Sequence, residues 1–275
     1  LEKMALFNTL QDFIRSLREQ FVEIKQIDLR WAMILAKDLP GNMILEKMDP
    51  ILANWTDVTA LSGKKCRVPI RADLKYAGFE NFLGRPVAGY HPDAKDVALL
   101  TKIPAMALCE AQNHLAERHG LGLIIYDAYR PVRAVKDFNA WMNQPLAGEV
   151  EFQRKVVHYP HLDKSRLAAL GYIPSTVSRH SYGNVVDVFL ISLETHKEIN
   201  MGSVFDFFDK MSHPSKTAAE IGQKAFDRRN LLIRVMSEFG FKVHEEEYWH
   251  FDYKIREVQE PVDFDVSASL RGLNS

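Results

Sequence analysis

The chain has 275 residues, 47% of them hydrophobic and 26% charged, the balance of a folded protein with room for one large domain or two small ones. Thirty-five basic residues meet 36 acidic ones, for a net charge of -1, so no nucleic-acid partner is expected. Cys66 and Cys109, the two cysteines, make neither a disulfide framework nor a thiolate zinc site, which leaves any metal to histidine and carboxylate. No apolar run reaches the roughly 18 residues of a membrane span. The first thirty residues are broken by Glu2, Lys3, Asp12, Arg15 and Arg18, so no span or signal peptide is expected. The compartment expected is the cytoplasm, with the periplasm as the alternative if an export signal was removed ahead of Leu1.

In chain order, Leu10, Phe13, Ile14 and Leu17 predict a helix over residues 8–20, and a mixed helical pattern over 29–61 is interrupted by Pro40, Gly41 and Pro50. Residues 1–66 are therefore expected to be a helical elaboration packed on a main domain of residues 67–275. From Arg67 the texture turns to strands and loops around Gly84, Pro86, Gly89 and Pro92. A helix is expected over 103–119, with Pro104 in its first turn and Gly120 as its C-terminal cap. A strand over 121–126 leads to Asp127-Ala-Tyr-Arg130-Pro131, and Pro131 is expected as the first helical position of a helix running to about Met142. A second strand over 185–191 follows Gly183. A long helix with Ala225, Leu232, Val235 and Phe239 on one stripe ends at Gly240, and a hairpin of 241–243 and 248–253 closes the chain around Glu245, Glu246 and Glu247. Strands and helices are mixed without regular alternation, which predicts an α+β fold with a small antiparallel or mixed sheet flanked by helices.

Most of the ten histidines have ordinary surroundings, but His180 and Asp187 do not, because Asp187 interrupts an apolar strand. A carboxylate there is costly unless something cationic meets it. On one helix the two would lie roughly 10 Å apart, too far to share an ion. Gly183 instead permits a turn that brings His180 back beside Asp187. Two readings stay open for this pair: Asp187 meets an arginine while His180 binds a carbonyl, or both hold a metal. In Glu247-Tyr-Trp-His250, the imidazole bracketed by Trp249 and Phe251 needs a defined partner. With His180 and Asp187 it would complete a three-donor set open to water, which Glu247 could face as general base. Arg130, at a strand end, is either a surface residue or a functional one.

The ordered set D-A-Y-R-P (Asp127 to Pro131), S-x-H-x-x-G-x-x-x-D (Ser178 to Asp187) and E-x-W-H (Glu247 to His250) resembles the zinc D-alanyl-D-alanine dipeptidases of the VanX type. Leu74-Lys-Tyr-Ala77 with Asn81, Phe82 and Gly84, and Met201-Gly202 followed by Phe205-Asp206-Phe207, extend the likeness over residues 68–265. The resemblance implies one Zn2+ per chain on His180, Asp187 and His250, Glu247 as catalytic base, and Arg130 as stabiliser of the tetrahedral intermediate. It further implies substrate contacts from Asp206, Ser178, Asp127 and Asn81, and the fold of the zinc D-Ala-D-Ala peptidases. The expected reaction is hydrolysis of the small dipeptide D-Ala-D-Ala, serving antibiotic resistance, wall recycling or nutrition. The alternatives are a D,D-carboxypeptidase or other dipeptidase on the same site, a closed structural zinc site, and a metal-free binding module. Val185 stands where the family usually has alanine, and the segment 29–61 is extra.

Overall fold

A computed structural model describes residues 52–275. The expected helix over 8–20 and most of the 29–61 segment lie outside the described residues. The central element is a five-stranded mixed sheet. Its strands are β2 (Arg71–Ala72), β4 (Leu121–Asp127), β5 (Val185–Ser192), β6 (Phe241–Val243) and β7 (His250–Tyr253), in the order β2-β4-β5-β7-β6. Only the β2–β4 pair is parallel. Two further strands, β1 (Trp55–Asp57) and β3 (Leu99–Thr101), form a separate antiparallel pair. The expected α+β class with a small mixed sheet therefore holds.

Every residue of β5 except Ser192 is buried, as an apolar strand between two neighbours with both faces covered must be. Its neighbours set the register that matters: Asp187 stands opposite Asp127 of β4 on one side and His250 of β7 on the other. The β4–β5 ladder shifts register between Ile125 and Asp127, an irregularity of the kind that re-aims side chains beside functional sites.

The helices are α1 (Val58–Lys65), α2 (Lys102–His119), α3 (Val132–Met142), α4 (Glu149–His158), the short α5 (Ala218–Ile221) and α6 (Gln223–Glu238). Helix α2 packs on α6 and β4 and ends where Gly120 takes a left-handed conformation, φ 63°. Pro131 departs from expectation. It is the N-cap of α3, with ψ 145°, because the chain leaving β4 is still extended there and turns helical one residue later. Helix α4, which is not among the expected elements, carries exposed Val150, Phe152 and Val156. Between the sheet and α3, the rings of Tyr76, Phe82, Phe138, Trp141 and Phe208 meet edge-on or tilted at centroid separations of 5.0–6.0 Å, geometries that add to their burial.

Candidate active site

His180 reaches the sheet through a 3-10 turn, Arg179–Tyr182, capped at its start by Ser178, whose hydroxyl accepts from the His180 N–H at 3.2 Å. The turn closes at Gly183 with φ 72°. A β-carbon there would lie 2.4 Å from the Trp55 ring, so both conformation and space require glycine. Thr101 clamps the same turn, its N–H and its hydroxyl donating to the Gly183 carbonyl at 2.8 and 3.1 Å. The small β1–β3 sheet thus buttresses the loop that carries His180.

Ligand atoms of His180, Asp187 and His250 all lie within 4.8 Å of one another, and all three residues are buried. Nε2 of His180 is 3.2 Å from Nδ1 of His250 and 3.5 Å from Asp187 Oδ2, and His250 Nδ1 is 3.1 Å from Asp187 Oδ1. Nδ1 of His180 faces the Ala128 carbonyl at 2.6 Å. A carbonyl only accepts, so that nitrogen carries the proton and Nε2 turns a lone pair to the centre. The first arrangement left open by the sequence is present, since His180 does bind a carbonyl and Arg130 Nη2 does approach Asp187 Oδ2 at 3.6 Å, and the three donors converge as well. Asp187 Oδ1 is buried without a hydrogen-bond partner, which costs free energy unless a cation meets it. Two imidazoles and a carboxylate are a borderline donor set suited to zinc, so the residues present fit that ion. Although burial opposes it, the two histidines hold the Asp187 carboxyl far below the usual carboxylate range.

Glu247 sits in the turn before β7 but is not a solvated acidic residue; it is buried. Its carboxylate lies 3.6 Å from His250 Nδ1. Burial, together with the nearby charges of Asp187 and Asp206, raises its pKa well above the ordinary value, the direction that strengthens a carboxylate as a base. Arg130 is buried too. Nε of Arg130 donates to Asp127 Oδ2 at 2.8 Å, and its guanidinium lies over the rings of Tyr76 and Phe138 at 5.1 and 5.3 Å.

Arg130, Asp187, Glu247 and His250 face one cavity of about 230 Å³, lined also by Tyr76, Ser178, Arg179, Asp206, His244 and the loop carrying Tyr172 and Ile173. Asp206 caps no helix. Its carboxylate is buried, accepts from the Tyr76 hydroxyl at 3.0 Å, and is pushed upward in pKa by burial and by Asp187. Asp209 is the capping residue instead, accepting from the Met211 N–H. Asn81 and Asp127 do not line the cavity. The Asn81 amide donates to the Lys75, Gly78 and Arg85 carbonyls and accepts from the Leu83 and Gly84 N–H groups, which uses its capacity within its own loop. Asp127 is taken by Arg130 and by the Tyr90 hydroxyl at 2.6 Å. His244, the histidine nearest the triad in sequence, is occupied by Arg179 at 2.7 Å and Glu246 at 3.0 Å. Tyr90 gave no signal in the sequence, because its partner is 37 residues away.

The mixed sheet, the convergent His–Asp–His donors and the buried glutamate beside them define a metallopeptidase. The profile of the D-ala-D-ala dipeptidase family, peptidase family M15, matches residues 64–266, and the chain belongs to that family. It is 39% identical over 182 residues to a D-alanyl-D-alanine dipeptidase of Enterococcus faecalis, covering 66% of this chain and 85% of that one. The corresponding enzymes of Enterococcus faecium and Streptomyces coelicolor are each 36% identical, over 66% and 67% of this chain and 85% and 86% of theirs. Among the described residues, no helix is long and apolar enough to cross a membrane.

Proposed function

We propose that this chain hydrolyses the free dipeptide D-Ala-D-Ala to two D-alanines, with one zinc ion held by His180, Asp187 and His250. The observation that carries this reading is the convergence of those three donors within 4.8 Å with the Glu247 carboxylate 3.6 Å from one of them. A closed structural site has no use for that glutamate. Zinc bound there supplies Lewis acidity and brings the pKa of water toward about 7. Glu247, raised in pKa, takes the proton of the attacking water and returns it to the departing amine. Arg130, fixed by Asp127, donates to the oxygen on which negative charge develops. Asp206 faces the substrate's ammonium from the cavity wall, and Ser178, at the same wall, keeps its hydroxyl proton for the substrate.

A small cavity that presents Asp206 and Glu247 beside Arg130 also suits a dipeptide. An N-acylated chain would leave Asp206 buried without its counter-charge, at a cost of several kcal/mol. The test is release of free D-alanine from D-Ala-D-Ala and from its N-acetyl form. Cleavage of the free dipeptide should exceed that of the acetylated one by at least about 10²-fold, and Asp206→Ala should erase much of the difference. Equal rates on both would reject the dipeptidase reading in favour of a D,D-carboxypeptidase.

A further inference from the structure

Asp206 combines two properties that do not maintain themselves. Its backbone is left-handed, φ 55°, a conformation that residues with a β-carbon avoid unless their surroundings impose it. Its carboxylate is buried and has one hydrogen-bonding side chain, Tyr76, at 3.0 Å. Something must hold the Phe205–Phe208 loop in the conformation that presents this carboxylate to the cavity.

His158, the last residue of α4 and a buried one, is placed to do so at two points. Its main-chain carbonyl accepts from the Phe208 N–H at 2.7 Å. Its ring Nδ1 lies 3.2 Å from the Asp206 carbonyl oxygen, which can only accept, so Nδ1 carries the proton and donates. The two bonds fix the chain just after the strained φ, one on the carbonyl of Asp206 itself and one two residues on. Burial lowers the His158 pKa to about 4, so the ring is neutral under working conditions and its Nδ1 proton stays available to the Asp206 carbonyl. His158 touches neither the cavity nor the metal donors.

We infer that His158 is a positioning residue for substrate recognition: by clasping the Asp206 backbone it holds the Asp206 carboxylate where the ammonium of a free dipeptide binds. The inference rests on the dipeptidase reading and deepens it. Losing the clasp lets Asp206 relax toward negative φ and swings its carboxylate off the cavity wall, while the donors on β5 and β7 stay in place. The loss should appear in recognition of the amino terminus and not in the chemical step.

The experiment uses the zinc-loaded enzyme with His158→Ala and His158→Asn, the latter chosen because its amide nitrogen falls near the position of Nδ1. KM and kcat are measured for D-Ala-D-Ala, and N-acetyl-D-Ala-D-Ala is titrated as a competitive inhibitor. Expected for His158→Ala is a KM about tenfold or more higher, the loss of one buried hydrogen bond, with kcat within about twofold and the inhibition constant unchanged or lower, since the acetylated form no longer faces the carboxylate. His158→Asn should return KM to within about threefold of the parent enzyme. An unchanged KM in His158→Ala overturns the inference. So does a joint fall of kcat and inhibitor binding that His158→Asn fails to rescue, since that marks a general structural role. If the parent enzyme itself fails to cleave D-Ala-D-Ala, the dipeptidase reading falls first and the inference with it. If the parent prefers the free dipeptide and Asp206→Ala abolishes that preference while His158→Ala does not, His158 alone is rejected.

Discussion

Arg130 and Asp127, three residues apart at the end of β4, form a buried bidirectional lock: Nε donates to Oδ2 at 2.8 Å, and the far side of the guanidinium comes to 3.6 Å from Asp187. Because Asp127 is also held by Tyr90, the fork of Arg130 cannot rotate away, and its remaining donors are aimed before substrate arrives. Preorganisation of this kind is what makes a charge effective in a transition state. Arg130→Ala is therefore expected to lower kcat by about 10²-fold or more with a smaller effect on KM. Arg130→Lys should restore little, since a point charge lacks the planar fork. Steady-state kinetics on D-Ala-D-Ala decide this; a change confined to KM would make Arg130 a substrate anchor instead.

His180→Ala, Asp187→Ala and His250→Ala should each lose zinc on dialysis, while Glu247→Ala should retain it and lose about 10²- to 10⁴-fold in kcat, the usual contribution of a general base. Metal analysis of the purified variants separates the two groups. Stoichiometric zinc in His250→Ala would point to His244 as a substitute donor, although Arg179 and Glu246 already occupy that ring.

Gly183→Ala should destabilise the protein by about 2–4 kcal/mol and weaken metal binding with it, because it adds left-handed strain and overpacking together. The new methyl would meet Trp55 at 2.4 Å, and Trp55 is wholly buried against Tyr129 and Phe264, so it cannot yield. Denaturant unfolding and zinc affinity measure the two effects; a variant of parental stability would show that the turn tolerates a side chain.

The lowered pKa of His158 has a sign that fixes a pH dependence. A histidine at about 4 in the folded chain, against its ordinary 6.5, binds fewer protons when folded than when unfolded, so stability rises with pH between those values. Its contribution is complete above about pH 6.5 and is lost as pH falls toward 4, to a total of up to about 3 kcal/mol. His158→Asn keeps a donor but does not titrate, so its stability should fall less steeply than that of the parent from pH 6.5 to 4.5. Parallel stability profiles, measured by denaturant unfolding at a series of pH values, would contradict this.

Much of the site could be read from sequence because its parts are short and local. The apolar run around Asp187 marks a central strand, and the aspartate in it needs a cation. Glycine at 183 permits the turn that returns His180. The 121–126 run delivers Arg130 to a strand end. These are consequences of periodicity, backbone freedom and desolvation, which act within a few residues. What only the tertiary structure decided is register and partnership across long separations. The ladders set Asp127, Asp187 and His250 side by side, and Tyr90 and Arg130 draw Asp127 into support while Asn81 spends its bonds within its own loop. Helix α4, with its apolar side chains partly exposed, brings His158 to a loop 48 residues away, a partnership that no local pattern marks. Burial takes Glu247 out of solvent and raises its pKa, which its place in an acidic turn does not reveal. The reason is common to all of these: hydrogen bonds and desolvation depend on which atoms meet in space, and that is settled by packing the sheet, not by the spacing of residues along the chain.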